Sequence, residues 1–370
     1  MLKIILDYPF FVKEGPLLGE DEWIGFQIKE GPCNQGCDYC YERATAFDIL
    51  SRMVGQSEMS RYEGMDNRRL AEALKEFPGR RLEMRVDELQ RWFSILEDAG
   101  IKRAFLIGSE PTEHSGFESI VDKASESGLE LLVYTSGKDL RALFHPSVKY
   151  IVLHMDHGKD VDRHEAYFAQ FMDSVNQLLN DGKEIHMRMN FSDEGLSGQD
   201  LVFNFFDGID ERYRPDVMLK YSFSSRVRGA KDIKYFNPGT MKETVPNLLV
   251  FIDEFKERYP DSPMYAERPL FPCTFGDGVW DEYKEKGGLT STCRMEFVVY
   301  SDRGITLCPP AKHMIDAKDV RTGEGLKVAI QRMKERIYGV AMKPSFHECG
   351  PCERRVDLSC QGGCLGYKDA

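Results

Sequence analysis

Residues 84–108 read MRVDELQRWFSILEDAGIKRAFLIG, and this stretch decides the fold. Apolar residues recur at helical spacing from Val86 to Leu96, which predicts a helix over 84–99 that ends at Gly100. The apolar run AFLIG at 104–108 then predicts a buried strand. A helix followed directly by a strand is the repeating unit of parallel α/β proteins.

The same alternation continues from about residue 80 to residue 258. The further predicted helices are 115–127, 160–180, 198–207 and 241–258. The predicted strands are 23–31 (WIGFQIKEG), 104–108, 129–137, 149–156, 184–191 and 216–224. Six parallel strands with intervening helices predict an α/β fold, a partial (β/α)6 barrel over residues 1–258. Residues 259–370 lose the alternation and predict a small, cysteine-rich C-terminal domain with one helix at 323–337.

Two of the predicted strands carry polar side chains on one face only. These are His186, Arg188 and Asn190 in 184–191, and Lys220, Ser222 and Ser224 in 216–224. Because a fully buried parallel strand is normally apolar on both faces, this alternation indicates a polar lumen or cleft. The alternative is a solvated edge of the sheet.

Composition restricts the partners of the protein. The 370 residues include 49 Lys and Arg against 61 Asp and Glu, a formal charge of −12, which argues against a broad nucleic-acid or anionic-membrane surface. No apolar run is long enough for a membrane span, and the N-terminus does not resemble a signal peptide. We therefore predict a cytoplasmic protein that binds neither nucleic acid nor membrane.

The ten cysteines fall into two groups, one at 33–40 and one of seven between 273 and 364. Because cytoplasmic proteins rarely keep structural disulfides, this bunching indicates metal ligation. In the first group, CNQGCDYC, three thiolates follow a predicted strand with no fourth ligand nearby. Three thiolates suit a 4Fe-4S cluster with one iron left open to a small molecule's amine and carboxylate. The alternative is a zinc knuckle completed by a distant residue.

The spacing C-x3-C-x-aromatic-C, with Tyr39 as the aromatic residue, resembles the hallmark of the radical S-adenosylmethionine (SAM) superfamily. Further segments resemble family motifs in the family's order, each at the carboxyl end of a predicted strand. They are GSEPT at 108–112, YTSG at 134–137, VLHMDHG at 152–158 and HMRMN at 186–190. The resemblance implies a 4Fe-4S cluster held by Cys33, Cys37 and Cys40. It also implies cleavage of SAM to a 5′-deoxyadenosyl radical that abstracts a substrate hydrogen.

The resemblance further implies roles for individual residues. Those implied to contact the cofactor are Tyr39 at the adenine, Gly108, Ser109, Glu110 and Pro111 at the methionine end, and Thr135, Ser136 and Asn190. Arg188 is a candidate for the SAM carboxylate, because its guanidinium suits bidentate pairing. His154 and Asp156 share strand parity and are candidates for the catalytic base; a structural hydrogen-bonded pair is the alternative.

The C-terminal cysteines resemble the SPASM extension of radical SAM maturases, which holds two auxiliary 4Fe-4S clusters. The implied ligands are Cys273, Cys293, Cys308 and Cys364 for one cluster and Cys349, Cys352 and Cys360 for the other. An eighth ligand is missing. Either one iron stays open, or Asp369 or His347 completes the set, or only one auxiliary cluster forms. Two zinc knuckles are the alternative outside this family.

Two enzymatic functions follow from the resemblance. The first is a maturase that modifies a ribosomally made peptide by a thioether or carbon–carbon crosslink or by side-chain oxidation. Pro309, where anaerobic sulfatase-maturating enzymes have an aspartate after the cysteine, argues against that activity. The second is a dehydrogenase or epimerase of a sugar, cyclitol or nucleoside. Both would need an electron donor such as flavodoxin or ferredoxin. A plain electron carrier or scaffold is disfavoured, because it would not need the SAM motifs.

Many peptide maturases of this class carry a leader-binding domain before the radical SAM core, but only 32 residues precede Cys33 here. We therefore expect any leader peptide to dock elsewhere on this protein or on a separate protein.

Overall fold

The fold is taken from a computed structural model of the chain. It describes residues 23–29, 56–62, 65, 69, 73–74, 83–155, 165–191, 195–224, 236–276, 278–291, 296–300, 304–307, 313–315, 320–341, 343, 345–346, 349, 352–356, 360 and 362. No helix within these ranges has the length and apolar character that crossing a membrane requires.

A single open sheet organises the described residues. Its strands are β1 (Trp23–Lys29), β2 (Arg103–Gly108), β3 (Glu130–Thr135), β4 (Val148–Met155), β5 (Glu184–Phe191), β6 (Met218–Phe223), β7 (Met264–Ala266), β8 (Phe297–Tyr300), β9 (Gly304–Leu307) and β10 (His313–Ile315). The spatial order is β10-β9-β8-β1-β2-β3-β4-β5-β6-β7, with β1 to β7 parallel in sequence order. The predicted α/β fold is therefore confirmed. The structure has more parallel strands than the six predicted, because β7 and β8 also run parallel to their neighbours, and hydrogen bonds between the described strands do not close the sheet.

Helices lie at the positions that the periodicity predicts, and two further helices, Val279–Lys286 and Glu353–Val356, were not predicted. They are α1 (Val86–Ala99), α2 (Phe117–Glu126), α3 (Glu165–Asn180), α4 (Gln199–Gly208), α5 (Pro238–Arg258), α6 (Val279–Lys286), α7 (Gly323–Ala341) and α8 (Glu353–Val356). Helix α1 ends where the sequence predicts, because Gly100 adopts the left-handed conformation that a C-terminal cap needs. Helix α5 begins at a capping box formed by Asn237 and Thr240.

The two faces of the sheet bury different kinds of side chain. One face packs against the helices in a large apolar core, and it contains Ile185, Met187 and Met189 of β5. The opposite face, which we call the lumen, carries a smaller apolar cluster contributed by strand residues alone. That cluster is Phe105, Ile107, Leu132, Val152, Val298 and Tyr300.

The polar alternation of β5 and β6 belongs to the lumen. Val152 of β4 lies beside His186 of β5 in the register, and Arg188 lies beside Lys220 of β6, so these side chains share one face. Strands β5 and β6 each pair with a neighbour on both sides. The prediction of a polar lumen is therefore confirmed, and the alternative of a solvated edge is wrong.

The C-terminal strands extend the same sheet. Strand β8 pairs in parallel with β1, and β9 and β10 continue from it in antiparallel order. Helix α7 packs against α1, and the Gly323 N–H donates to the Asp98 carboxylate at 2.6 Å. The division into domains at residue 258 stays a prediction. Strands from both sides of this position belong to one sheet.

The contact between α7 and α1 requires glycine at position 323. A Cβ at Gly323 would lie 2.4 Å from the Ala99 nitrogen, a backbone atom that cannot rotate away. We therefore expect Gly323→Ala to lower the free energy of unfolding by about 1–3 kcal/mol, the usual range for overpacking. Far-UV circular dichroism during urea unfolding measures the change.

Gly325→Ala is the matched control on the same helix. A Cβ there meets its nearest atom, the Thr322 hydroxyl oxygen, at 3.4 Å, which is ordinary contact. We expect this variant to be unchanged or stabilised by up to ~1 kcal/mol, because alanine favours helices over glycine. Equal stability of the two variants would contradict the close packing of α7 on α1.

Candidate active site

The carboxyl ends of β1 and β2 are joined by a very close backbone approach. Gly108 has φ of 146°, and a Cβ there would lie 2.2 Å from the Lys29 carbonyl oxygen. The Ser109 N–H donates to the same oxygen at 3.1 Å. Lys29 is the last residue of β1, and Cys33 follows it by four positions in the sequence. The GSEP segment therefore begins beside the strand end that leads into the first cysteine group.

The carboxylate of Glu110 joins the ends of β2 and β3. Its side chain is buried, and Oε1 accepts hydrogen bonds from the Thr112 N–H at 3.3 Å, the Thr112 hydroxyl at 2.8 Å and the Thr135 hydroxyl at 2.8 Å. Oε2 accepts from the Ser136 N–H at 2.8 Å and the Ser136 hydroxyl at 2.5 Å. A carboxylate offers about four lone-pair directions, so these five donors use its accepting capacity fully.

This network brings together several residues that the sequence assigns to the cofactor. Glu110, Thr135 and Ser136 are in direct contact, and Pro111 is buried at the start of the short 3-10 turn Pro111–Glu113. The Glu110 carboxylate itself is occupied by protein donors. The chemistry available to a ligand at this edge is therefore that of the surrounding backbone and hydroxyl groups.

An ion pair lies in the lumen between β5 and the end of β7. The Arg188 Nε donates to the Glu267 carboxylate at 2.5 Å, and the two side chains are only 21% and 14% exposed. Glu267 directly follows β7, and its N–H donates to the Tyr221 carbonyl oxygen. The Arg188 guanidinium also lies over the Tyr134 ring, 5.7 Å from its centroid. Arg188 thus already has a carboxylate partner within the chain.

Further charges surround this pair. Desolvation acts to raise the pKa of Glu267, but the charges of Arg188, Lys220 and Arg268 outweigh it and hold the pKa below its usual value. Desolvation, followed by the Glu267 charge, raises the pKa of Glu296. Desolvation lowers the pKa of Lys220. Three cations and two carboxylates therefore influence one another on this side of the lumen, and Glu296 is the exposed member of the group.

The remaining polar residues of β4 to β6 extend this region. His154 is half-buried and lies beside Arg188 in the register of β4 and β5. Asn190 is buried, and its side-chain oxygen accepts a hydrogen bond from the Ser222 hydroxyl of β6. Burial lowers the pKa of His186, whose Nε2 contacts Glu184 at 2.8 Å. His154, Arg188 and Asn190 thus face the lumen as the sequence predicts.

Sequence analysis missed Glu267 and Glu296. Glu267 follows a strand of only three residues, which is too short for a periodic signal. Its partner Arg188 is 79 positions away. Only the register of the folded sheet brings them together.

Several predicted site residues lie outside the described residues. They are Cys33, Cys37, Tyr39, Cys40, Asp156, Cys293, Cys308 and Cys364. Their assignments stay predictions. The cysteines that the structure describes are Cys273, Cys349, Cys352 and Cys360, none of them in a disulfide.

The fold and the strand-end site define a class of protein, the open parallel α/β barrels that bind their ligands at the carboxyl ends of the strands. Residues 32–191 match the model of the Radical SAM superfamily, a range that runs from before Cys33 to the end of β5. This part of the chain is therefore similar to the radical SAM superfamily, for which SAM and a 4Fe-4S cluster are the implied cofactors.

Solved structures share this fold at low sequence identity. Streptococcus suis SuiB bound to S-adenosylmethionine has a TM-score of 0.54 and 15% identity, over 93% of this chain and 72% of that chain. Native anSMEcpe with bound AdoMet and Cp18Cys peptide has a TM-score of 0.58 and 15% identity, over 94% of this chain and 90% of that chain. No curated protein matches the chain.

The Glu110 network yields a stability prediction. Glu110→Gln replaces one acceptor oxygen by an NH2 group that faces N–H and O–H donors, so hydrogen bonds are lost in a buried site. We expect the free energy of unfolding to fall by about 1–3 kcal/mol. Urea unfolding followed by circular dichroism measures the loss.

Glu113→Gln is the matched control in the same turn. The Glu113 side chain is 38% exposed, and its nearest cations, Lys29 and Lys138, lie 3.7 and 3.8 Å away. We expect a change below ~1 kcal/mol. If Glu110→Gln were as stable as Glu113→Gln, the Glu110 carboxylate would not be joining β2 to β3.

The lumen ion pair yields a second prediction. Glu267→Met leaves Arg188 and Lys220 without their main counter-charge, and we expect it to destabilise the protein by about 3 kcal/mol. The double variant Arg188→Met/Glu267→Met should lose less than Glu267→Met alone, because it removes one of the stranded charges. Urea unfolding of the three proteins at pH 7 measures both effects.

The pKa of Glu267 determines the pH of this measurement, and an exposed ion pair provides its control. Because the pKa of Glu267 is lowered on folding, the stability it contributes is complete above the usual carboxyl range. That contribution is lost as the pH falls through the lowered pKa, so pH 7 reports its full size. Glu254→Met removes the exposed partner of Arg258 and should change stability by less than ~1 kcal/mol. A double variant less stable than Glu267→Met would contradict the prediction.

Proposed function

We propose that this protein is a radical SAM enzyme, and that it is a maturase that modifies a ribosomally made peptide through a thioether crosslink, a carbon–carbon crosslink or side-chain oxidation. The observation that carries the proposal is the likeness over 93–94% of the chain to two proteins solved with bound peptides. Those proteins are SuiB, with its precursor peptide SuiA, and anSMEcpe, with the Cp18Cys peptide. The likeness includes the C-terminal part of the chain and not the SAM-binding motifs alone.

The side chains of the lumen suit a substrate that has both apolar and polar groups. Its β1–β4 side carries aromatic and aliphatic residues, including Phe105 and Leu132. Its β5–β7 side carries Arg188, Lys220 and Glu267. An apolar side chain would pack on the first side, while the peptide's amides and charges would pair on the second.

The residues proposed to hold the cofactors fit their chemistry. Cys33, Cys37 and Cys40 would bind a 4Fe-4S cluster, and the backbone of the segment that begins at Gly108 would approach the methionine end of SAM, at the strand end that the contact with Lys29 fixes. Asn190 and Ser222 offer polar atoms at the same edge. When bound, SAM and the cluster supply a 5′-deoxyadenosyl radical. Glu267 would hold the Arg188 guanidinium in a fixed orientation through their ion pair. Among the described residues, His154 is the proposed catalytic base.

The C-terminal cysteines support an oxidative reaction. A crosslink formed after hydrogen abstraction leaves one electron to be removed, and auxiliary clusters would carry it away. A flavodoxin or ferredoxin is the proposed electron donor for SAM cleavage. We propose a cytoplasmic location, since these clusters and donors suit a reducing compartment.

A second candidate is a dehydrogenase or epimerase of a sugar, cyclitol or nucleoside. The observation that favours it is the concentration of Arg188, Lys220, Glu267 and Glu296 in one region of the lumen. Such a set would bind the hydroxyl groups of a small polar molecule by paired donors and acceptors.

Isotope transfer tests both candidates. The anaerobically reconstituted enzyme is incubated with SAM, a reductant and a deuterated substrate. The substrates are a short peptide encoded beside this gene and a panel of sugars, cyclitols and nucleosides. For a maturase we expect deuterium in 5′-deoxyadenosine with the peptide only, and a peptide product that has lost two hydrogens if a crosslink forms. Transfer from a small molecule alone would overturn the maturase proposal.

Cys33→Ala tests the radical chemistry itself. We expect this variant to form no 5′-deoxyadenosine, because a cluster with two cysteine ligands would not hold SAM for cleavage. The control is Glu113→Gln, which lies near the strand ends but outside the proposed ligands and should keep cleavage at the wild-type rate. SAM cleavage that survives in Cys33→Ala would contradict the assignment of the first cysteine group.

A further inference from the structure

His186 lies on the lumen face of β5, near the amino end of that strand. In the register of the sheet it lies beside Val152 of β4 and Met218 of β6. Its side chain is only 9% exposed. Glu184 lies two positions earlier and therefore on the same face of the strand, and its side chain is 51% exposed. The pair thus runs from the buried lumen toward solvent at the amino end of β5.

The contact between these two side chains decides which ring nitrogen of His186 carries the hydrogen. Nε2 lies 2.8 Å from Oε1 of Glu184. The hydrogen bond with His186 holds the pKa of Glu184 below its usual value, so this carboxyl group is ionised at neutral pH and can only accept hydrogen bonds. Nε2 therefore carries the hydrogen and donates it. Because burial lowers the pKa of His186, the ring is neutral at pH 7 and Nδ1 has a free lone pair.

Nδ1 of His186 is buried, and it has no hydrogen-bond partner among the residues that the structure describes. Two histidines that follow 3-10 turns differ in this respect. His114 is buried and has hydrogen bonds with backbone groups on both ring nitrogens, each at 2.9 Å. His145 contacts Asp122 through Nε2 at 3.1 Å and Ser147 through Nδ1 at 2.8 Å. His186 thus combines a carboxylate contact like that of His145 with an unoccupied second nitrogen.

An imidazole that is paired with a carboxylate and keeps a free lone pair has the arrangement of a proton acceptor. The carboxylate fixes the tautomer and stabilises the imidazolium ion that forms when Nδ1 takes up a proton. Desolvation and the Lys220 charge lower the pKa of His186, while Glu184 and Glu267 act in the opposite direction. The neighbours Val152 and Met218 carry no charge. These surroundings leave the ring neutral, and so able to accept a proton, at pH 7.

His154, the proposed catalytic base, occupies the next lumen position toward the carboxyl ends of the strands. It lies on β4 beside Arg188, two residues after the Val152 that pairs with His186. Neighbouring strands are about 4.8 Å apart, which places the two imidazoles within the span of one bridging water. His186 therefore lies between the proposed base and the half-exposed Glu184.

We propose that His186 is a second proton acceptor in the lumen, that it receives the proton which His154 removes from the substrate, and that Glu184 is its positioning residue. In this step an N–H bond on His154 breaks, an Nδ1–H bond forms on His186, and no electron is transferred. The result is an imidazolium ion whose charge the Glu184 carboxylate compensates. Water that enters the lumen when the product leaves takes the proton away. The inference rests on the proposed function, which supplies the proton.

Nitrogen-15 NMR tests the tautomer and needs no substrate. The reconstituted enzyme is labelled at its histidine rings and kept with oxidised clusters, and His186→Gln identifies the His186 signals by their loss. We expect a protonated Nε2 and an unprotonated Nδ1 at pH 7. In a pH titration Glu184→Gln should lower the pKa of this imidazole by about one pH unit, because the charge that stabilises the imidazolium ion is gone.

Turnover of the peptide encoded beside this gene tests the role of the proton acceptor. We expect kcat for the peptide product to fall about 10²-fold in His186→Gln with KM unchanged, since this is the lower end of what a proton-transfer group contributes. In Glu184→Gln the loss of kcat at acidic pH should move to lower pH, in line with the lowered pKa of His186. His145→Gln is the matched control, because it removes a histidine–carboxylate contact outside the lumen and should keep the wild-type kcat and pH profile.

Three results would overturn the proposal: a hydrogen on Nδ1 in the wild type at pH 7, a His186 titration that Glu184→Gln leaves unchanged, or a kcat of His186→Gln equal to that of His145→Gln. If His186→Gln does not fold, the titration of Glu184→Gln still decides, because Glu184 is half exposed. Deuterium transfer from the peptide to 5′-deoxyadenosine is scored separately in the wild type. Its absence would count against the proposed function, whereas the NMR result tests the proton acceptor alone.

Discussion

The backbone contact between Gly108 and Lys29 is the constraint on which the site depends. It fixes the carboxyl end of β2 against that of β1 at a separation that only glycine permits. This contact therefore places the strand that leads into the first cysteine group next to the segment that begins the SAM-type motif. The Glu110 carboxylate then extends the same edge to β3. A network with all its hydrogen bonds made gives a rigid edge, which a reactive site needs.

The lumen has an apolar side and a charged side. Strand parity decides which side chains face the lumen, and the position of the strand in the sheet decides on which side they lie. The β1–β4 side presents apolar side chains such as Phe105, and the β5–β7 side presents charged ones such as Arg188. Arg188, Lys220 and Arg268 lie near the Glu267 and Glu296 carboxylates, so charges of both signs compensate one another on that side. The ion pair between Arg188 and Glu267 also holds these two side chains in one orientation. A substrate that entered would meet fixed donors and acceptors.

Local signals in the sequence predicted the strands, the helices and the strand-end motifs. Gly100 and the apolar spacing of α1 are local features, and so is the alternation that placed Arg188 and Lys220 in the lumen. The partners of these residues were not predictable. Glu267 reaches Arg188 across 79 positions, and the contact between Phe271 and Phe346 depends on how the chain folds back. Motif spacing carries no information on such contacts.

The C-terminal segment completes the structure across the open side of the sheet. Strand β8 lies beside β1, and α7 packs on α1, so the chain after α7 starts from the β1 side. Phe346 then contacts Phe271, which follows β7 at the opposite end of the sheet. The contact between Phe346 and Phe271 therefore joins the chain after α7 to the β7 end of a sheet that hydrogen bonds between the described strands do not close.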